Sequence, residues 1–134
     1  MAHGYPARGA VYWLGWTMSG LVIAFLLMDA TMKLLALPVV LETSNELGWN
    51  GGASEARLLG GILLVCTLLY AVPQTAVLGA ILLTGYLGGA IATHVRIESP
   101  LFSHILFGGY VALLMWGGLY ARDDRLRALL PAQR

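Results

Sequence analysis

The chain has 134 residues, of which 58% are hydrophobic and only 11% are charged, and its formal net charge is +1. Soluble domains usually carry charge on about a quarter of their residues, so this composition excludes an ordinary soluble domain. The balanced charge also argues against a nucleic-acid partner, because no basic stripe is available to hold a phosphate backbone. The length suits one domain with four membrane-spanning helices of about 20 residues each.

The first predicted helix covers residues 11–37. Trp13 and Trp16 lie near its start, as is typical of aromatic rings at the level of the lipid headgroups. The helix is predicted to end before Pro38, because proline disfavours the helical conformation in the residue that precedes it.

Three more helices are predicted after a polar connection at residues 39–53, and they cover residues 55–72, 75–94 and 101–120, with a charged tail at 121–134. Pro73 and Gln74 leave room only for a short turn, so the second and third helices are predicted to be antiparallel neighbours. The alternation of apolar and polar residues that marks a membrane β-barrel is absent from the sequence. The expected fold is therefore all-α, an integral membrane four-helix bundle with up-down topology and short loops.

The arginines indicate how this bundle is oriented. Four spans place both tails on one side of the membrane, together with Arg8, Arg122, Arg125, Arg127 and Arg134. The other side receives Lys33, Arg57 and Arg96. The positive-inside rule therefore predicts that both termini are cytoplasmic.

Asp29 and Lys33 are the most informative ionisable pair, because charged groups at membrane depth are costly. Their four-residue spacing places them on one helix face, with the acid before the base. An intrahelical ion pair whose lysine reaches the interface explains them structurally. A carboxylate that is held by Lys33 and moves a proton is the functional alternative.

A second polar group surrounds the turn between the third and fourth predicted helices. His94 and His104 flank this turn, and either a role as helix-end hydrogen-bonding groups or convergence on one ligand is compatible with the sequence. Arg96 can hold an anionic group or neutralise a helix C-terminus. Tyr86 lies two turns before His94, so it can point into the bundle. No metal site is predicted, since the spacing of the histidines matches no metal motif.

Glycines form the clearest packing signal. Gly85, Gly88 and Gly89 create a small-residue surface that includes a GxxxG motif, which favours close helix packing within the bundle or between subunits. Cys66 is the single cysteine of the sequence. It excludes an internal disulfide or a CxxC pair, so a self-contained dithiol oxidoreductase is not expected.

Four segments resemble the DoxX-like family of small bacterial membrane proteins: DATMKLLALP (29–38), AVPQTAVLGAILLTGYLGGAIATHVR (71–96), SPLFSHILF (99–107) and WGGLYARDDRLRALLP (116–131). The resemblance implies a four-helix membrane bundle in the bacterial inner membrane. Because similar proteins include a small membrane subunit of a thiosulfate:quinone oxidoreductase, the resemblance is also compatible with an oxidoreductase partner and with a quinone as cofactor, while it leaves the cofactor itself open.

Three functions are compatible with these observations. The first is a redox-associated membrane subunit that binds a quinone or another lipophilic ligand through Asp29, Lys33, Tyr86, His94, Arg96 and His104. The second is a structural module that forms an oligomer through its glycine faces. The third is a small enzyme, isomerase-like or hydrolase-like, that acts on a lipophilic substrate with His94 or Asp29 as its acid–base residue.

Overall fold

A computed structural model of the chain describes residues 9–129. All regular elements within these residues are helical, which confirms the predicted all-α class. Four helical segments are long and apolar enough to cross a membrane. The described part of the chain is therefore a membrane helical bundle.

The four long helices are α1 (Ala10–Leu34), α3 (Gly52–Ala71), α4 (Ala76–Arg96) and α5 (Phe107–Arg122), and two short helices are α2 (Pro38–Glu46) and α6 (Asp124–Leu129). A 3₁₀ turn at Pro73–Thr75 joins α3 to α4. This short joint makes α3 and α4 antiparallel neighbours.

The first helix ends earlier than the sequence predicted, at Leu34 rather than at residue 37. Ala36 adopts a left-handed conformation with φ of 49°, which breaks the helix, and Pro38 then starts α2. Proline suits the first helical turn, because its missing N–H would have no partner there. The predicted connection at residues 39–53 is therefore partly helical, since residues 39–46 belong to α2 and α3 begins at Gly52.

The fourth predicted helix is divided. Leu101–Ile105 forms a single π-helical turn, and α5 begins at Phe107 and continues to Arg122. Residues 121 and 122 of the predicted charged tail complete α5, and α6 follows, with the Oδ1 atom of Asp123 accepting a hydrogen bond from the backbone N–H of Arg125 at 2.9 Å. Residues 130–134 of the predicted tail lie outside the described residues.

The long helices form a square in which α1 and α4 stand at opposite corners, and each of them packs against both α3 and α5. Glycines permit these close crossings. A Cβ atom on Gly60 would lie 2.8 Å from the Cβ atom of Lys33, and one on Gly118 would lie 2.7 Å from the Ser19 Oγ atom. Small residues let backbones approach in this way where lipid gives no hydrophobic driving force for helix association.

The glycines of α4 that were predicted from the sequence to pack closely have open space around them, unlike Gly60 and Gly118. A Cβ atom on Gly85, Gly88 or Gly89 would meet no other atom within 4 Å. Their predicted role in packing within the bundle is therefore wrong, because they lie on faces of α4 that neither α3 nor α5 covers. Their role in contacts between subunits stays a prediction.

A buried polar cluster closes the end of the bundle that carries the tails. Arg122 on α5 donates from Nε to the Ser19 Oγ atom at 2.8 Å and from Nη2 to the Tyr70 carbonyl at 3.1 Å. Its guanidinium lies 4.1 Å from the centre of the Trp16 ring. The Tyr70 hydroxyl lies 2.8 Å from the Ser19 Oγ atom and donates to the Met115 carbonyl at 2.7 Å. Helices α1, α3 and α5 are thus joined at this end.

Candidate functional site

A cavity of about 530 Å³ occupies the opposite end of the bundle. It lies between the diagonal helices α1 and α4, and the short helix α2 with the loop that follows it covers one side. Most of its lining is apolar and comes from residues such as Phe25, Leu26, Val40, Leu87, Ile91 and Phe107. The early end of α1 and the separate helix α2 are therefore what shape this site.

Within residues 9–129, one polar contact bridges the diagonal between α1 and α4. Lys33 on α1 donates from Nζ to the Asp29 Oδ2 atom at 2.6 Å and to the Tyr86 hydroxyl on α4 at 2.9 Å. The spacing of four residues brings Asp29 and Lys33 together, as the sequence predicted. Tyr86 joins them because α4 runs antiparallel to α3 and returns to the end at which α1 stops. All three residues line the cavity.

The two histidines meet at the same cavity. The rings of His94 and His104 are 5.7 Å apart between centroids, at an angle of 65°. The Nδ1 atom of His94 lies 3.0 Å from the Ser99 Oγ atom, and that of His104 lies 2.7 Å from the Ser103 Oγ atom. The structure thus brings the two rings together and also gives each of them a serine partner near its helix end, so their convergence on one ligand stays a prediction. The Nε2 atoms are left for other partners.

Arg96, which the sequence placed among the ligand-binding residues, does not line the cavity. It donates from Nη2 to the Leu47 carbonyl at the end of α2. Arg57 donates similarly from Nε to the Leu34 carbonyl, at 3.3 Å. The two arginines thus fix the chain on both sides of α2. The guanidinium of Arg96 stabilises the position of α2 and does not face the cavity.

Several cavity residues were not identified from the sequence. The largest group comes from α2 and its following loop, namely Val39, Val40, Thr43, Ser44, Leu47 and Trp49. Phe25 and Phe107 form an edge-to-face pair with centroids 5.4 Å apart. The available signal was the run of apolar residues directly after Pro38, which is unusual in a polar loop and suits a helix with one covered face.

The charges of the cavity are balanced. Asp29 and Lys33 are the acid and the cationic side chain of its described lining, and they neutralise each other. Within residues 9–129, no group of three His, Cys, Asp or Glu side chains is placed to hold a metal ion. Cys66 is buried in α3 and is not among the residues that line the cavity. The site is therefore an apolar cavity with a neutral polar end and two imidazoles.

Comparison with known proteins identifies the family to which this chain belongs. Residues 17–118 match the profile of the DoxX-like family. The chain belongs to the DoxX-like family. The match covers α1 to α5 almost entirely and includes all the polar residues of the cavity. The comparisons with curated proteins and with solved structures gave no match.

Family membership and the four apolar helices together identify a multi-pass membrane protein. In this DoxX-like protein the polar side chains are concentrated at two places. One is the buried cluster around Arg122, in which every donor noted above meets an oxygen within the bundle. The other is the cavity, where the hydroxyl of Tyr86 and the two imidazoles keep hydrogen-bonding capacity for a bound molecule.

Proposed function

We propose that this DoxX-like protein binds a quinone or another lipophilic molecule in the cavity between α1 and α4. The main support for the proposal is that most residues predicted from the sequence to bind a ligand line one cavity. Five of the six residues predicted to bind a ligand (Asp29, Lys33, Tyr86, His94 and His104) line one space of about 530 Å³. Cavities of this size, mostly apolar with a few polar groups, are typical of sites for small organic molecules.

The same arrangement supports a redox-associated role. Phenol and imidazole groups beside a bound quinone can exchange protons when the quinone is reduced or oxidised. The sequence has a single cysteine and no CxxC pair. We therefore assign the electron-carrying centre to an oxidoreductase partner, with the DoxX-like protein as its membrane subunit.

We further infer the orientation from the positive-inside rule. Arg122, Arg125 and Arg127 lie at the end of the bundle that carries the tails, so this end is assigned to the cytoplasm of a bacterial cell. The cavity, at the other end, then lies on the outer side of the inner membrane. Accessibility of single cysteines, one introduced at Glu42 on α2 and one at Arg125, to a membrane-impermeant thiol reagent tests this assignment in whole cells.

A pair of glycine variants tests ligand binding. Gly89 lines the cavity and Gly88 does not, yet an added side chain meets no atom within 4 Å at either position. Gly89→Leu should fill the cavity without disturbing the fold, and Gly88→Leu is its matched control. Each protein is extracted gently from its own membrane, and released small molecules are identified by mass spectrometry. A stoichiometric lipophile in wild type and Gly88→Leu, and its loss in Gly89→Leu, is the expected result.

A structural role is the second candidate, because Gly88 lies outside the cavity on a face of α4 where an added side chain would meet no atom within 4 Å. In that case Gly88→Leu should break an oligomer, and no stoichiometric lipophile should be released from any variant. Native mass spectrometry of the same three proteins records the oligomeric state together with the bound molecules. That outcome would overturn ligand binding as the main function.

A further inference from the structure

We infer that the cavity selects an uncharged lipophile whose head carries a hydrogen-bond-accepting oxygen, a ketone or quinone, and discriminates against fatty acids of similar size. The inference rests on the proposed function and specifies the ligand of that site. The observation behind it is the hydrogen bonding of Lys33 to Asp29 and Tyr86, which neutralises the charge of Lys33 and leaves a donor on Tyr86.

The positive charge of Lys33 at the cavity is already neutralised by Asp29. The Nζ atom of Lys33 lies 2.6 Å from the Asp29 carboxylate, and both side chains are largely covered. A carboxylate ligand would bring a second negative charge to a single ammonium group and would lose its own hydration. Arg96, the nearest further cation on α4, is outside the lining and donates to the Leu47 carbonyl. An anionic head group therefore finds no uncompensated cation there.

The cavity wall, in contrast, has hydrogen-bond donors that lack an acceptor among the described residues. The Tyr86 hydroxyl accepts a hydrogen bond from Lys33, because an ammonium group can only donate. The hydroxyl's own hydrogen has no acceptor among the described residues. One of the three N–H groups of Lys33 is also unassigned once Asp29 and Tyr86 are counted. Two donors thus lie side by side at the cavity wall, and a carbonyl oxygen with two lone pairs matches them.

The imidazoles lie farther along the same wall. His94 follows Tyr86 by eight residues on α4, a rise of about 12 Å at 1.5 Å per residue. Their Nδ1 atoms are engaged by serine hydroxyls, which leaves Nε2 of each ring to meet the second polar end of a ligand. Between these polar ends the wall is apolar, with Leu87 and Ile91 among its residues. This pattern suits a head group with oxygens at two ends, as in a quinone.

A competition experiment tests the inference. The protein is placed in nanodiscs of zwitterionic lipid at pH 8, where free imidazole is uncharged. A deuterated decyl-benzoquinone is displaced either by its unlabelled form or by dodecanoate, and bound probe is counted by mass spectrometry. Gly89→Leu supplies the baseline for probe dissolved in the lipid. The unlabelled quinone should compete at least about tenfold better than dodecanoate, the value of roughly one hydrogen bond to a polar group.

Two variants address the residues directly. Tyr86→Phe removes the free donor and should weaken quinone binding about tenfold. Tyr110→Phe, on the exposed surface of α5, is the control and should change nothing. Asp29→Asn leaves Lys33 uncompensated, so dodecanoate should gain at least about tenfold relative to the quinone. The double variant Asp29→Asn with Lys33→Gln should return the preference to the quinone.

The inference and the proposed function fail in different ways. Equal competition by dodecanoate in the wild type, or unchanged quinone binding in a folded Tyr86→Phe protein, would overturn the inference while cavity binding stands. Binding of neither probe above the Gly89→Leu baseline would overturn both. If Asp29→Asn does not fold, the wild-type competition and the two tyrosine variants still decide the question.

Discussion

The guanidinium of Arg122 stacks over the ring of Trp16, with 4.1 Å between its Cζ atom and the ring centroid. Arg122 is only 8% exposed, and within residues 9–129 no carboxylate pairs with it. Its charge is instead met by the Ser19 hydroxyl, by an aromatic face and by the Tyr70 carbonyl near the C-terminus of α3. A helix C-terminus carries partial negative charge, so it can compensate a cation in this position.

We therefore predict that Arg122→Lys destabilises the protein by about 2–3 kcal/mol, although the charge is kept. A lysine can neither stack on Trp16 as a planar group nor donate to Ser19 and Tyr70 in the same fixed geometry. The free energy of unfolding in mild detergent, measured by titration with a denaturing detergent, checks the prediction.

Arg125→Lys is the control for this change, because the Arg125 side chain, which contacts Asp123 and the Pro73 carbonyl, is 69% exposed. Exposed ion pairs contribute little, so its loss should stay within about 0.5 kcal/mol. Equal destabilisation by the two variants would contradict the importance assigned to the buried cluster.

Gly79→Ala should weaken the junction of α3 and α4. A Cβ atom at this position would overlap the backbone of α3, with the Tyr70 Cα atom only 2.6 Å away. Backbone cannot move aside as a flexible side chain can, so we expect a loss of about 2 kcal/mol or more. Gly88→Ala, on the same helix, meets no atom and should be neutral or stabilise by up to about 1 kcal/mol. Thermal unfolding of the two variants in one detergent compares them directly.

The left-handed conformation of Ala36, between α1 and α2, leads us to predict that two substitutions there change the stability of the protein in opposite directions. Ala36 has a φ of 49°, a conformation that costs an L-residue about 1–2 kcal/mol. Ala36→Gly should therefore raise the stability by about 0.5–1 kcal/mol, and Ala36→Val should lower it by more than about 1 kcal/mol. Ala92→Gly, in the exposed helical face of α4, should instead lower it by up to about 1 kcal/mol. A decrease in stability for Ala36→Gly would show that the turn is unstrained.

Arg96→Met should accelerate exchange of a bound lipophile without changing the cavity wall. The variant removes the hydrogen bond to the Leu47 carbonyl, which holds the end of the helix that covers the cavity. Loss of about 1 kcal/mol of support corresponds to a roughly fivefold faster dissociation of decyl-benzoquinone. Stopped-flow recording of tryptophan fluorescence follows this step, since Trp49 lines the cavity. Glu46→Gln, an exposed change on α2, should leave the rate as it is.

Much of the fold was predictable because composition and hydropathy decide it. Four apolar segments in a chain of 134 residues leave little choice but a helical bundle, and Pro73 marked the tight α3–α4 joint. The end of α1 was harder to predict. Its apolar pattern continues past Leu34, and only the left-handed Ala36, a residue with good helix propensity, interrupts it. The local pattern did not show that Pro38 begins a new helix, α2, which covers one side of the cavity.

The site was predictable in its polar residues and not in its shape. Asp29 and Lys33 follow from helical spacing, and His94 and His104 from their shared turn. The role of Arg96 depended on a contact with Leu47, 49 residues away, which no local pattern reveals. Arg122 was predicted as part of a charged tail. It is buried because Ser19 and Tyr70 meet it from two other helices.

The two ends of the bundle differ in how firmly the helices are joined, and this asymmetry has a mechanical consequence. Near the tails, Arg122 ties three helices through buried hydrogen bonds. At the far end, the one side-chain hydrogen bond across the diagonal within the described residues is that between Lys33 and Tyr86. Across this diagonal a single side-chain bond therefore joins α1 to α4 in the described part of the chain, although α1 still packs closely on α3 there, where Gly60 meets Lys33. Exchange of the proposed ligand is therefore expected to break this one bond and to leave the buried cluster around Arg122 intact.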